Sequence, residues 1–305
     1  MANGNSKLKT VHSAHKRENM IGWTLNIPYL AYTVFLFLIP LCWAVWLSLQ
    51  DWNLMSSSPA FVGFKNFADL FRDKNVGWAF LNSFRYLIPI VILCLIFGLI
   101  IAFAVNALPE KVRGFASVAM FIPYLTSGVA TAVLAKYMLS YNSVLNTFLR
   151  TKFGLAISWF TNGTSAFLVI VFIVVWKCSG YYALFFLSAL SSIPQEVIEA
   201  AQIDGATRSQ INFKIKIPMM LSSISSVVAL AAGLALSIYT EPYLLTGGGP
   251  ADATTTWTLE IYYSAFTKFQ SGYGTAMAIV YAVEIFVILK LIDWIMGKLI
   301  KRFGC

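Results

Sequence analysis

An all-α, polytopic membrane protein with six transmembrane helices and a short cytoplasmic pair of helices is the fold the sequence predicts, on three observations. The 305 residues are 58% hydrophobic and only 11% charged, with a mean hydropathy of +0.72, outside the usage of soluble domains. Six apolar stretches reach the roughly 20 residues that a helix needs to cross about 30 Å of hydrocarbon, where only intrahelical bonds satisfy the backbone. The basic residues fall unevenly between alternate connecting segments, which gives the stretches a direction.

The expected spans are 27–49, 83–108, 115–138, 166–190, 221–239 and 274–297. The first is too long and uninterrupted for the apolar core of a signal peptide and reads as a retained span. Pro28, Pro40 and Pro89 lie in or at the start of spans and are expected to kink or locally unwind them. Between spans one and two, "FVGFKNFADLF" (61–71) spaces its aromatics as one face of a helix lying on the outer leaflet would. Gly98 with Ala102, and Ala229 with Gly233, offer small surfaces for close helix contact.

An even number of spans puts both termini on one side. Lys7, Lys9, Lys16, Arg17, Lys111, Arg113, Arg208, Lys214, Lys216, Lys298, Lys301 and Arg302 share one set of segments, against Lys65, Arg72, Lys74, Arg150, Lys152 and Lys268 in the other. The richer set is expected to be cytoplasmic. The net charge of +9 is then largely a topology signal that also attracts anionic membrane lipid, and nothing points to nucleic acid.

Cys42, Cys94, Cys178 and Cys305 have no paired spacing for a disulfide frame or a metal site. The only histidines, His12 and His15, sit in the polar N-terminal tail, which argues against metal-dependent hydrolysis. Neither paired carboxylates nor a G-x-S-x-G turn points to a membrane enzyme.

The most particular string is "SSIPQEVIEAAQIDGATRSQ" (191–210), between spans four and five on the cytoplasmic side. Ser192 can cap a helix that starts with Pro194, and Gln195, Glu196 and Glu199 suit its first turns. Val197, Ala200, Ala201 and Ile203 give that helix a small apolar face, and Asp204-Gly205 should end it sharply. A second short helix then runs from about Ala206 until Pro218, with Ile211, Phe213, Ile215 and Ile217 as its larger apolar residues. Composition alone leaves open whether this is a knob for another protein to grip or an ordinary loop packed on the span ends.

The string resembles the EAA loop of ABC-importer permeases, with Glu199, Ala200, Ala201, Gly205, Ile215 and Pro218 at the motif positions and Asp204 and Ala206 flanking the glycine. The likeness extends from about residue 20 to 300. "FVGFKNFADLF" (61–71), "FIPYLTSGVATAVLAKYML" (121–139), "SSIPQEVIEAAQIDGA" (191–206) and "LLTGGGP" (244–250) keep the order and spacing of binding-protein-dependent carbohydrate permeases of type I. They are similar to the first maltose and glycerol-phosphate permeases in particular.

The resemblance implies an organisation: a cytoplasmic tail at 1–22, a first helix and extracellular segment at 23–80, a type-1 core at 81–297 with its coupling loop at 191–219, and a tail at 298–305. It also implies partners: a second homologous permease, two cytosolic ATP-binding subunits and an extracellular solute-binding protein that delivers a sugar. Glu199, Ala200, Ala201, Asp204, Gly205, Ala206, Phe213 and Pro218 would then couple this chain to an ATPase. No G-x-x-x-x-G-K-[ST] loop occurs, so no cofactor is expected here, and ATP and Mg belong on the partner subunits.

Intramembrane polar groups are costly and mark pathways or interhelix pairs. Lys177 follows Trp176 in span four, with Tyr181 one turn on, while Tyr239, Glu241 and Tyr243 close span five. In an extended stretch the last three would share a face, and in a helix they would spread. Aromatic platforms and a few placed polar groups suit sugar rings, so these six are the candidate substrate contacts. Their alternatives are interfacial anchoring for the aromatics and pairing of Lys177 with Glu241 or Glu284. An unpaired Lys177 would favour an acidic or phosphate-bearing sugar.

The maltose permease's sugar-contact region corresponds to Val174, Lys177, Cys178, Tyr181, Ala235 and Ile238. That permease has asparagines where this chain has Val174, Ala235 and Ile238, so its exact site does not carry over. Thr246, Gly247, Gly248, Gly249 and Pro250 read as a tight extracellular turn, with contact to the binding protein as a second reading. The rival functions are carriage of an amino acid or polyol by the same machinery and, more remotely, an ion-coupled secondary transporter, whose repeated halves are missing here.

Overall fold

The computed structural model describes residues 20–303 apart from 21, 54, 56, 57 and 156. His12, His15, the basic residues Lys7, Lys9, Lys16 and Arg17, and Cys305 lie outside the described residues. Helix α1 spans Gly22–Ser48, and a short antiparallel pair follows, β1 (Gln50–Asp51) with β2 (Ala60–Phe61). This small pair is the departure from the all-α expectation. Next come α2 (Lys65–Leu70), α3 (Lys74–Asn106), α4 (Glu110–Leu125), α5 (Gly128–Met138), α6 (Val144–Phe153) and α7 (Gly163–Ser191). Then follow α8 (Gln195–Ile203), the helical run α9 over 208–219, α10 (Leu221–Leu236), α11 (Thr240–Leu245), α12 (Trp257–Tyr262) and α13 (Ser271–Phe303).

Among the described residues five helices are long and apolar enough to cross a membrane: Gly22–Ser48, Lys74–Asn106, Gly163–Ser191, Leu221–Leu245 and Ser271–Phe303. The sixth crossing is the pair α4 and α5, bent by 84°, which corrects the expectation of one continuous helix over 115–138. Pro123 sits in the last turn of α4 and has no N–H for the carbonyl four residues back. Thr126 leaves the helix in extended conformation, and Ser127 starts α5 by accepting from the Ala130 N–H.

The three prolines singled out above behave differently from one another. Pro28 and Pro89 sit in uninterrupted helix. Pro40 follows a wide π-type segment, Val34–Leu38, in which the carbonyls facing the ring are repartnered. In "FVGFKNFADLF" the residues turned inward are Asn66 and Leu70, and Phe61, Phe64 and Phe71 are exposed. Asn66 donates to the carbonyls of Ser48 and Gln50 at 2.8 and 2.9 Å, which fixes α2 beneath the end of α1.

The core lies between α3, α7 and α10, where Tyr86, Ile90, Cys94, Val174, Cys178, Tyr182, Phe186, Val227 and Ala231 are buried together. A second cluster joins Leu70, Val76, Ala79, Trp257, Met277 and Tyr281. Gly98 admits the Phe186 ring, as small-residue packing predicts: a Cβ there would stand 3.0 Å from that ring. Gly180 is tighter still, since a Cβ would collide with the backbone carbonyl of Met120 on α4. Gly233, by contrast, has open space around it, so the expected close contact there is not made within the described residues.

Replacing Gly180 with Ala should therefore lower stability by about 1–3 kcal/mol through overpacking. Gly233→Ala should leave it unchanged or slightly raised. Thermal unfolding of the two detergent-purified variants checks the contrast.

Candidate functional site

The two short helices at 195–219 lie on the face where α7 ends and α10 begins. Pro194 rather than Ser192 occupies the N-cap of α8, and the Ser192 hydroxyl instead donates back to the Ala189 carbonyl, so Ser192 closes α7. At the other end, Gly205 N–H donates to Gln202 O at 3.0 Å and Ala206 N–H to Ala201 O at 2.9 Å. Those two bonds, with Gly205 at φ +79°, make the Schellman stop that Asp204-Gly205 foretold.

Helix α9 starts with a capping box, the Thr207 N–H donating to Gln210 Oε1 at 2.7 Å. The run passes through a π-type segment, Ile211–Lys216, and ends at Met219, one residue beyond Pro218 and close to the expected end. Glu199, Ala200, Asp204 and Gly205 are exposed, Ala201, Ala206 and Pro218 half-buried, and Ile203 and Phe213 stand out at 86% and 69% exposure. A Cβ on Gly205 would meet open space, so its backbone conformation, not lack of room, is what demands glycine.

On the other side of the core, between α7 and the junction of α10 with α11, is a cavity of about 430 Å³. Lys177, Tyr239 and Glu241 line it, with Val174, Cys178 and Ile238 from the region matched to the maltose permease. Glu241 is only 8% exposed and faces the same space as Lys177, without an ion pair between them among the described residues. Glu284 does not line the cavity; it sits by Trp257 and Ser83.

The remaining candidates stand behind this wall or away from it. Tyr181 stacks on Tyr124, centroids 4.2 Å apart and planes within 7°, and Tyr124 lines the cavity. Tyr243 stacks on Tyr239 at 5.2 Å and backs it, joined by Tyr262. Residues 240–245 are helical, so Tyr239 and Tyr243 share one side while Glu241 turns to another. Trp176 is 50% exposed and is not brought to the cavity, because it lies on the opposite side of α7 from the buried Val174 and Cys178. Tyr124 was missed in the sequence, because its place on the cavity comes from its contact with Tyr181 on a distant segment.

Span five is broken at 237–239, and the freed carbonyls are satisfied by side chains. The Thr256 and Thr258 hydroxyls donate to Ile238 O at 3.0 and 2.8 Å, and the Tyr281 hydroxyl to Leu236 O at 2.6 Å. Loop 246–256 folds against this break. Gly247 and Gly248 have φ of +63° and +93°, and Gly248 is buried where a Cβ would stand 2.7 Å from Thr255 Oγ1. Thr246 shares a 2.7 Å hydrogen bond with Thr254, and Asn82 of α3 donates to the carbonyls of Asp252 and Thr255, both at 2.9 Å. The loop is thus a packed structural unit, and of residues 246–250 only Gly247 is exposed.

Residues 14–304 match the family of binding-protein-dependent transport system inner membrane components. The chain belongs to that family. It is 31% identical to the multiple sugar-binding transport system permease protein MsmF of Streptococcus mutans, over 92% of this chain and 96% of that one. Identity to the sn-glycerol-3-phosphate transport system permease protein UgpA of Escherichia coli is 34%, over 87% and 90%. A solved bacterial ABC transporter involved in import of the acidic polysaccharide alginate shares the fold, with a TM-score of 0.81 at 20% identity over 95% of this chain and 99% of that chain. As an inner membrane component of such a system, the chain is a membrane-embedded permease subunit and not an enzyme.

Because Asn82 ties Asp252 O and Thr255 O to α3, Asn82→Ala should expose loop 246–256 at a cost of roughly 1–3 kcal/mol. Hydrogen exchange of that loop in the purified permease should rise, while exchange of α8 stays unchanged.

Proposed function

We propose that this permease passes a sugar or oligosaccharide, handed over by an extracellular solute-binding protein, through the cavity at Lys177 and Glu241. The observation that carries this reading is that one cation, one carboxylate and stacked tyrosines meet on a single cavity inside a family member. Such a lining offers donors, acceptors and ring faces to a polyhydroxylated solute. Relatives named for multiple sugars, diacetylchitobiose and glycerol-3-phosphate support a carbohydrate or its phosphate. Because Glu241 faces the same space as Lys177, an acidic sugar does not follow from Lys177 alone.

The face with α8 and α9 is cytoplasmic in this reading, as are both termini, and residues 81–297 form the type-1 core. A second permease completes the path, and two ATP-binding subunits supply ATP and Mg. The exposed Ala200, Ile203 and Phe213 provide the apolar surface that one ATPase grips, with Glu199, Ala201, Asp204, Gly205, Ala206 and Pro218 shaping it. Thr246–Pro250 keeps the fold of the opposite face, with Gly247 as its open point toward the binding protein. Closure of the ATPase pair would then displace α8 and α9 and switch the cavity between faces.

Uptake by the complete complex should respond to sugars, and a response restricted to amino acids sinks the carbohydrate assignment. Lys177→Gln and Glu241→Gln should each reduce uptake about tenfold or more, by loss of one charge-assisted hydrogen bond. Gly205→Ala should cost about 1–2 kcal/mol of turn stability through backbone strain alone. Gly205→Arg adds bulk on the gripped face and should abolish uptake while the subunits still copurify; normal uptake in that variant would refute the coupling role.

A further inference from the structure

Behind α8 and α9 lies a second cavity, of about 720 Å³, for which the transport cycle just described has no use. Its charged lining residues are Arg113 of α4 with Arg208 and Lys216 of α9, and no Asp or Glu faces it. Amide side chains of Gln195, Gln202 and Asn212 fill out the polar wall. None of the three cations makes an ion pair among the described residues. Arg113 is already held in place, its Nη2 donating to the carbonyls of Asn106 and Leu108 at 3.0 and 3.2 Å.

Three cations around one concave space repel one another, and an anion of matching geometry removes that repulsion. Two guanidiniums, an ammonium and neutral amides together are donors suited to tetrahedral oxyanions. We propose that this cavity is a binding site for a phosphoryl-bearing anion, held by Arg113, Arg208 and Lys216. The volume leaves room for the group that carries the phosphate. Ser191, where α7 ends, also lines the space, so the phosphate can come from a lipid headgroup as well as from solution.

An occupant would tie α9 to the start of the third crossing. Its binding and the stance of the two short helices are then linked, and each biases the other. The site does not depend on which solute is carried, so its failure would leave the carbohydrate assignment untouched.

The test uses the full-length chain in two kinds of nanodisc, phosphatidylcholine alone and phosphatidylcholine mixed equally with phosphatidylglycerol, titrated calorimetrically with inorganic phosphate. Saturable phosphate binding in the neutral discs is expected, weakened about tenfold or more in Arg208→Gln/Lys216→Gln, which removes two charge-assisted contacts. The charge-conserving pair Arg208→Lys/Lys216→Arg should retain most of the binding, which separates lost charge from misfolding. Equal phosphate affinity in both discs identifies a soluble anion. Loss of phosphate binding in the phosphatidylglycerol discs, with that lipid retained by the native chain and released by the Gln pair in native mass spectrometry, identifies the headgroup. Absence of saturable phosphate binding together with lipid retention equal in native chain and Gln pair overturns the proposal.

Discussion

Gly180 lets the backbone of α7 press against the Met120 carbonyl of α4, and the cavity wall is organised around that contact. Tyr124 stands one turn beyond Met120 on the same side of α4, and Tyr181 follows Gly180 directly, so the two rings meet nearly parallel. Lys177 is three residues before Gly180 and opens to the space that those rings bound. Any side chain at 180 would push the helices apart and separate the stack from the cation. The same logic operates at Gly98, where the Phe186 ring takes the room that a Cβ would fill.

The second half of the cavity depends on a break that would be prohibitive in lipid if its polar groups were left unpaired. Leu236 and Ile238 expose carbonyls where α10 stops, and Tyr281, Thr256 and Thr258 donate to them. After the break α11 resumes at Thr240, with Glu241 buried on the cavity wall. The threonines can reach it only because loop 246–256 is held by Asn82 and by its own glycines. Irregular backbone, a packed Gly-rich turn and a buried carboxylate are therefore one construction.

Much of this was legible in the sequence wherever local chemistry decides the outcome. Six crossings follow from apolar length, and the stop at Gly205 follows from Asp-Gly after a short helix. Ser192 was misread because it was assigned by its usual local role, whereas the preceding helix supplied a better use: its hydroxyl donates to the Ala189 carbonyl at the end of α7. The 84° bend at Thr126 was hidden because a hydropathy pattern runs smoothly through it. Trp176 and Lys177, adjacent in sequence, part company because successive residues on a helix point about 100° apart. Tyr124 joined the cavity through a contact between distant segments, which no local pattern encodes.

The wide turn ahead of Pro218 allows α9 to run on until Met219, and a single buried residue, Met220, separates it from α10. A connection of one residue has no slack. A displacement imposed on α8 and α9 cannot be taken up by a loop and must reach span five as a tilt or twist of the whole rod. The far end of that rod is the break just before Glu241, so one stiff helix joins the two short helices to the cavity wall.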